Sequence, residues 1–266
     1  MRGAIARLIS ISLFLFILLA CTYDEERLII FYDSALSGAM EELIGRFEKI
    51  HPEVKVEAEP SEPMGAVCKV IDLRREVDLV ISDPELIERM LMPRKLFTPS
   101  YADWLIKFAA DRLVIAYADS SRYAGEINAA NWREVLSRRG VRIGCFDTAR
   151  VPMIRGLKVK RYEVDELTRA VGSGDLDYAL LPLSAALRGE LRYIDPLKGD
   201  AGRILYAATI PKGAPHLRHA LMFLDLLLGE EGRRVLRAKG YQLITPAEAK
   251  GRSKVPRKLR RYVGKG

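Results

Sequence analysis

Two serines follow directly after an apolar stretch near the start of the chain, and their position suits the binding of an anion. Residues 28–31 (Leu-Ile-Ile-Phe) run into a loop that contains Ser34 and Ser37, and apolar residues then recur every three or four positions. This pattern predicts a strand, a short loop and a helix. The first turn of a helix has unpaired N–H groups and partial positive charge, and the two hydroxyls add donors there. The alternative is that Ser37 only caps the helix.

The same strand, loop and helix order recurs along the chain. Strands are predicted over 54–58, 77–81, 112–118, 141–146, 176–181 and 203–210, with amphipathic helices between most of them. Such alternation is typical of an α/β fold built from parallel βαβ units. Ligands of open α/β sheets bind beyond the carboxyl ends of the strands, which is where the serine loop and a second loop over 61–65 fall.

The first twenty residues form a secretory leader. Arg2 and Arg7 precede an apolar run over residues 8–20, and Cys21 follows at once. We interpret residues 1–20 as a lipoprotein signal peptide and Cys21 as the lipidated first residue of the mature chain, at the extracellular face of the cytoplasmic membrane. The alternative is an ordinary signal or a short anchor in which Cys21 is incidental. Cys68 and Cys145 have no metal-binding or redox spacing. They are expected to be buried thiols, and a disulfide between them is the alternative.

The positive charge is concentrated at the end of the chain. The formal net charge is +8, and residues 250–266 hold eight Lys and Arg residues and no acid. The rest of the chain is therefore near neutral, which disfavours nucleic acid as a partner. We predict that residues 250–266 form a mobile basic tail that can touch an anionic membrane surface, or that has no role.

No enzymatic chemistry is indicated by the motifs. The chain has three histidines, and neither a nucleophile elbow nor a phosphate loop is present. His216 and His219 have helical spacing that can bind a metal, but the alternative of a polar helix face is preferred. We predict no catalysis, cofactor or metal site.

Several stretches of the chain resemble the archaeal tungstate/molybdate-binding proteins of ABC importers. The most specific covers residues 101–132, with Tyr-Ala-Asp-Trp at 101–104 and Leu-Val-Ile-Ala-Tyr at 113–117. The others are residues 31–47, 175–186, 209–212 and 229–233. The resemblance implies a two-lobed type II periplasmic-binding-protein fold, in which each lobe is a mixed sheet flanked by helices.

The resemblance also implies how the lobes are divided. Two crossover strands, at about 112–118 and 204–210, are expected to join lobe 1 (residues 21–112 and 204–249) to lobe 2 (residues 113–203). A segment after Arg155 that is mostly helical in the family is absent, so lobe 2 is expected to be reduced. The ligand would lie between the lobes, and closure would present a surface to a membrane permease and its ATPase.

The family's tungstate ligands are largely replaced. Ala35 and Pro63 stand where the family has serines, and Leu181 and the region of Arg150 or Val151 stand where it has two carboxylates. The remaining candidates for an oxyanion cradle are Ser34, Ser37, Met64, Gly65, Ser184 and Arg150. Arg155 is an alternative to Arg150, and both arginines can instead be solvated loop residues.

Two functions are consistent with this pattern. The first is a solute-binding lipoprotein of an ABC importer that carries a molybdate-, tungstate- or sulfate-like oxyanion. The second is a degenerate binding-protein fold that serves as a non-transporting interaction or sensor lipoprotein. Without the two carboxylates, tungstate is expected to bind weakly or not at all.

Overall fold

A computed structural model describes residues 26–93, 98–146, 154–197 and 202–265 of the chain. Its strands are β1 Glu26–Asp33, β2 Val54–Ser61, β3 Leu79–Ser82, β4 Leu105–Tyr117, β5 Ile143–Cys145, β6 Val159–Arg161, β7 Tyr178–Pro182, β8 Arg192–Ile194, β9 Arg203–Thr209 and β10 Gln242–Lys250. Cys21, Arg150 and Val151 lie outside the described residues.

The helices lie between these strands. They are α1 Ser37–Ile50, α2 Pro63–Ile71, α3 Pro84–Leu86, α4 Trp132–Ser137, α5 Val164–Gly172, α6 Leu183–Arg188, α7 Leu217–Leu228 and α8 Glu230–Ala238. A π-helical turn, Ile87–Leu91, continues α3, and 3-10 turns cover Ser34–Leu36, Arg252–Lys254 and Arg257–Tyr262. No helix among the described residues is long and apolar enough to cross a membrane.

The strands form two connected sheets, one for each lobe of a type II periplasmic-binding-protein fold. The order is β2-β1-β3-β9-β4-β7-β5-β6, and β8 and β10 also pair with β4. The sheet of lobe 1 has β1 parallel to β2 and β3, and the sheet of lobe 2 has β5 parallel to β6 and β7. Their carboxyl ends carry the loops expected to bind a ligand.

Strand β4 physically joins the lobes. Its first part pairs with β9 and β10 in lobe 1, and residues 113–117 pair with β7 and β8 in lobe 2. The sequence predicted only its second half, over 112–118, because Lys107 and Asp111 interrupt the apolar pattern of the first half. The second predicted crossover strand is β9, which leads the chain back from lobe 2 into the sheet of lobe 1.

Helices cover both faces of each sheet with apolar side chains. The buried face of α1 includes Met40, Leu43 and Phe47, as its spacing predicts, and Phe47 contacts Phe223 of α7 edge to face at 5.4 Å. The sequence did not predict strands β6, β8 and β10, which are short or polar. It also did not predict helix α8, whose residues are mostly charged. Cys145 is buried, Cys68 is partly buried, and the two form no disulfide.

The prediction that the basic residues after β10 form a mobile tail is wrong. Residues from 250 onwards continue from β10 through two 3-10 turns, and Val255, Leu259 and Val263 are buried in the largest apolar core. These side chains recur every four residues, so the segment packs despite its charge. Three of its cations also form ion pairs: Lys250 with Glu88, and Lys258 and Arg261 with Asp225.

Candidate solute-binding cleft

A cleft of about 620 Å³ lies between the two lobes at the carboxyl ends of their parallel strands. Its volume is within the range of about 300–1,000 Å³ that is usual for small-molecule sites. Lobe 1 contributes Asp33, Ser34, Glu62, Pro63, Met64, Asp83, Glu85, Leu86 and Arg89, and lobe 2 contributes Phe146, Arg161, Glu163 and Val164.

The serine loop after β1 is only partly open to the cleft. Ser34 lines the cleft, as predicted. Ser37 does not: it is buried, and its hydroxyl donates to the Ser34 carbonyl at 2.7 Å. The Asp33 carboxylate accepts the Ala35 amide at 3.0 Å, so a side-chain anion already occupies the start of the 3-10 turn. The Ser37 hydroxyl thus bonds within the loop, and Ser37 is the first residue of α1 rather than its N-cap.

Two further helix starts at the cleft are also occupied by the chain's own carboxylates. Asp83 accepts the amides of Glu85 and Leu86 at 2.8 and 3.1 Å, which caps α3. Glu163 and Glu166 form a reciprocal capping box at the start of α5. A carboxylate at a helix N-terminus satisfies the same amides and dipole that would bind an external anion.

The start of α2 has no such cap. Glu62 at its N-cap makes no side-chain capping bond, and Pro63 occupies the first turn. Helix geometry leaves the amides of Met64 and Gly65 without an intrahelical acceptor. Met64 lines the cleft, whereas Gly65 and Ser61 do not. The Ser61 hydroxyl is buried beside Gly65 and has no hydrogen-bond partner among the described residues. This helix start therefore retains the donors that an anion requires.

Ser184 is not in the cleft. It is 6 % exposed, and its amide lies 3.3 Å from the Asp111 carboxylate on β4, 73 positions away. Asp111 is itself 1 % exposed, and this burial raises the pKa of its carboxyl to about 6, although the amides of Ser184 and Arg112 favour the charged form. Asp111 thus takes the place at α6 that the sequence predicted for an external oxyanion.

The cleft has two guanidinium groups that the sequence did not identify. Arg89, on the π-helical turn after α3, is exposed and forms no ion pair with any described residue. Arg161, at the end of β6, donates from Nη2 to Glu62 and so bonds lobe 2 to lobe 1. Burial and the negative Glu62 raise the pKa of Glu163 beside this pair. The sequence contained no signal for these roles, since both arginines lie among other charged residues.

Of the replaced family positions that the structure describes, Pro63 lines the cleft and Ala35 and Leu181 do not. Leu181 is fully buried in the core of lobe 2, and Ala35 is buried under the serine loop. Pro63 lines the cleft but has no donor. Arg155 does not line the cleft, and its carbonyl accepts from Arg133.

His216 and His219 both bond to groups of the chain itself. His216 donates its amide to Asp78, which is fully buried, and its ring nitrogen lies 3.0 Å from the same carboxylate. His219 bonds to the Arg27 carbonyl and to Glu26. Among the described residues, no group of three or more His, Cys, Asp or Glu side chains could hold a metal ion.

Comparison with known proteins identifies the family. Residues 28–158 and 155–242 match the bacterial extracellular solute-binding proteins. The chain belongs to this family. The two matched segments meet at 155–158, which is where we expect a segment of lobe 2 to be absent.

Individual relatives cover nearly the whole chain. A solute-binding protein of Petrotoga mobilis is 28 % identical over 90 % of this chain and 90 % of its own length. The molybdate/tungstate-binding protein WtpA of Thermococcus kodakarensis is 28 % identical over 90 % of this chain and 88 % of its own. The periplasmic molybdate-binding protein of Azotobacter vinelandii superposes with a TM-score of 0.66 at 17 % identity, over 82 % of this chain and 99 % of that one. The solute-binding proteins of molybdate/tungstate ABC transporters are therefore the type to which this chain is similar.

Proposed function

We propose that the protein is the solute-binding component of an ABC importer and carries a tetrahedral oxyanion in the cleft between its lobes. The start of α2 carries this proposal. Its Met64 and Gly65 amides are not capped by a side chain, the Ser61 hydroxyl has no partner among the described residues, and Met64 faces the cleft that also holds Arg89 and Arg161. A helix N-terminus with hydroxyl and guanidinium donors is a typical oxyanion site.

The finer parts of the proposal concern delivery and location. The protein would release the anion to a membrane permease with its ATPase, and lipid on Cys21 would hold it at the extracellular face of the membrane. The Leu-Leu-Ala-Cys sequence at 18–21 supports the lipid anchor, and structural neighbours whose names refer to molybdenum and tungstate ABC transporters support the delivery to a permease.

Titration calorimetry against molybdate, tungstate, sulfate and phosphate tests the proposal. We expect heat with at least one of these anions and little discrimination among them, because the family's two carboxylates are replaced. Arg89→Gln should weaken binding by about 1–3 kcal/mol, the usual cost of a charge-assisted hydrogen bond. Arg139→Gln, an exposed arginine outside the cleft, is the matched control and should change nothing.

The second candidate is a non-transporting interaction or sensor protein. The acidity of the cleft favours it, because five carboxylates line the cleft beside two guanidinium groups. A net negative potential repels an anion. An anion can bind only if the helix amides and the arginine that these acids contact compensate their charge. No heat and no thermal shift with any of the four anions would favour this candidate, whereas nanomolar tungstate binding would contradict our placement of the replaced carboxylates.

A further inference from the structure

The basic segment after β10 folds as a one-sided charged surface. Val255, Leu259 and Val263 are buried, and the short 3-10 turns between them leave the intervening cations outside. The exposed cations are Arg252, Lys254, Arg257, Lys258, Arg260, Arg261 and Lys265. The apolar residues thus hold these charges in fixed positions on lobe 1.

Most of these charges are not neutralised. Lys258 and Arg261 share Asp225 at 3.2 and 2.6 Å. The other exposed cations of the segment form no ion pair with any described residue, and the segment itself contains no acid. A surface of this kind has a positive potential that favours an anionic partner.

An exposed apolar residue lies in the same surface. Leu217, at the start of α7, is 49 % exposed. It borders one groove together with Arg218 and Lys258 and a second groove together with Pro256. Arg218 and Lys258 thus lie beside this apolar side chain in the first groove, and Lys212, which pairs with Asp103, lies in the second.

The beginning of the described chain lies at this surface too. Glu26 lines the groove with Leu217 and Lys258, and His219 of α7 bonds to Glu26 at 3.1 Å and to the Arg27 carbonyl at 2.9 Å. Five peptide steps separate Cys21 from Glu26, and a fully extended chain covers at most about 18 Å over that distance. Lipid on Cys21 would therefore keep this surface close to the membrane.

We propose that Arg252, Lys254, Arg257, Arg218 and Leu217 form a basic face that docks on anionic phospholipid headgroups. This inference rests on the proposed lipid anchoring of the protein, because a single chain-end anchor brings the face within reach of the headgroups. Each cation near an anionic leaflet strengthens attachment about fivefold, which is about 1 kcal/mol. Several fixed cations and one apolar side chain would hold lobe 1 against the membrane in one orientation.

Co-sedimentation with vesicles tests the proposal on the chain from residue 22 onwards, so that neither the apolar leader nor lipid on Cys21 contributes. Vesicles of phosphatidylcholine alone are compared with vesicles of phosphatidylcholine and phosphatidylglycerol. The test variant adds Arg252→Gln, Lys254→Gln and Arg257→Gln. The matched control adds Arg139→Gln, Lys158→Gln and Lys160→Gln, three exposed cations of lobe 2. All six side chains are exposed, so both variants should keep the parent's melting temperature.

We expect the parent to bind only the anionic vesicles, less at high salt, and the test variant to lose at least about tenfold in partitioning. The control should lose less than about twofold. Equal losses in both variants, or no binding by the parent, would overturn the proposal.

Leu217→Ser should weaken vesicle binding while leaving binding to heparin unchanged, and equal effects on both would indicate a general polyanion site instead. Detergent partitioning of the chain with and without Cys21→Ser tests the anchor separately, and the anion titration tests the transport function.

Discussion

Asp111 is a buried carboxylate whose ionisation costs the folded protein free energy. It lies in β4 between the lobes, accepts the amides of Arg112 and Ser184, and has no basic partner within ion-pair distance among the described residues. Burial raises its pKa from 3.8 to about 6. The folded chain therefore holds this proton to a higher pH than the unfolded chain does.

Asp111→Asn should remove this pH dependence. Stability from Asp111 is present below about pH 4 and is lost as the pH rises to about 6, since the unfolded state binds the proton less tightly. The neutral amide keeps an acceptor for Ser184 and should stabilise the protein by up to about 3 kcal/mol at neutral pH. Denaturant unfolding at about pH 5 and about pH 7 measures the difference.

The exposed acid Asp119 provides the control. It pairs with Arg192 at the surface, so Asp119→Asn should change stability by less than about 1 kcal/mol at either pH. If Asp111→Asn instead lowered stability equally at both pH values, the carboxylate would be charged and favourably solvated in the folded protein, contrary to our prediction.

At the scale of elements, the helix starts decide where an anion can bind. The 3-10 turn after β1, α3, α5 and α6 each have an acidic side chain at their first amides, whereas α2 has none. The dipoles of the first four are thus already compensated within the chain. This explains why loops that each connect a strand to a helix differ in their capacity to bind an anion.

The basic segment illustrates an element whose place in the fold depends on the packing of a few apolar side chains. Leu259 is completely buried and contributes to the largest core, while Lys254 in the same segment is exposed. Leu259→Ala should destabilise the protein by about 2–5 kcal/mol because it leaves a cavity. Lys254→Gln should change stability by less than about 0.5 kcal/mol. Thermal melts compare the two, and equal melting temperatures would contradict the packed position of the segment.

At the scale of the whole molecule, an ion pair between two described residues bridges the cleft. Glu62 of lobe 1 bonds to Arg161 of lobe 2, so the guanidinium both joins the lobes and faces the site of the proposed anion. An oxyanion would compete with Glu62 for this donor. We therefore expect closure of the lobes and binding of the anion to be coupled through Arg161.

The two partners should have opposite effects on anion affinity. Glu62→Gln removes a negative charge and releases Arg161, so we expect tighter binding by several fold. Arg161→Gln removes a charge-assisted donor and should weaken binding by about 1–3 kcal/mol. Calorimetry with molybdate measures both, and Arg155→Gln, outside the cleft, serves as the control. A loss of affinity in both cleft variants would show that the bridge itself is needed for closure.

The sequence by itself determined the features that depend on local spacing. Helical periodicity identified α1 and the bounds of α7, and the alternation of strands and helices identified the fold class and the loops that line the cleft. The resemblance to molybdate- and tungstate-binding proteins was also carried by contiguous residues. These signals are local, because hydrogen bonding within a helix and burial of one face involve residues only a few positions apart.

Only the tertiary structure decided which donors remain for a ligand. Asp111 reaches Ser184 across 73 positions and Arg161 reaches Glu62 across 99, and neither contact has a signal in the spacing of residues. The packing of Leu259 against a core built from distant strands likewise overrode a charge pattern that predicted a mobile tail. Burial and long-range pairing set the energy of a polar or charged group, and both are properties of the folded chain.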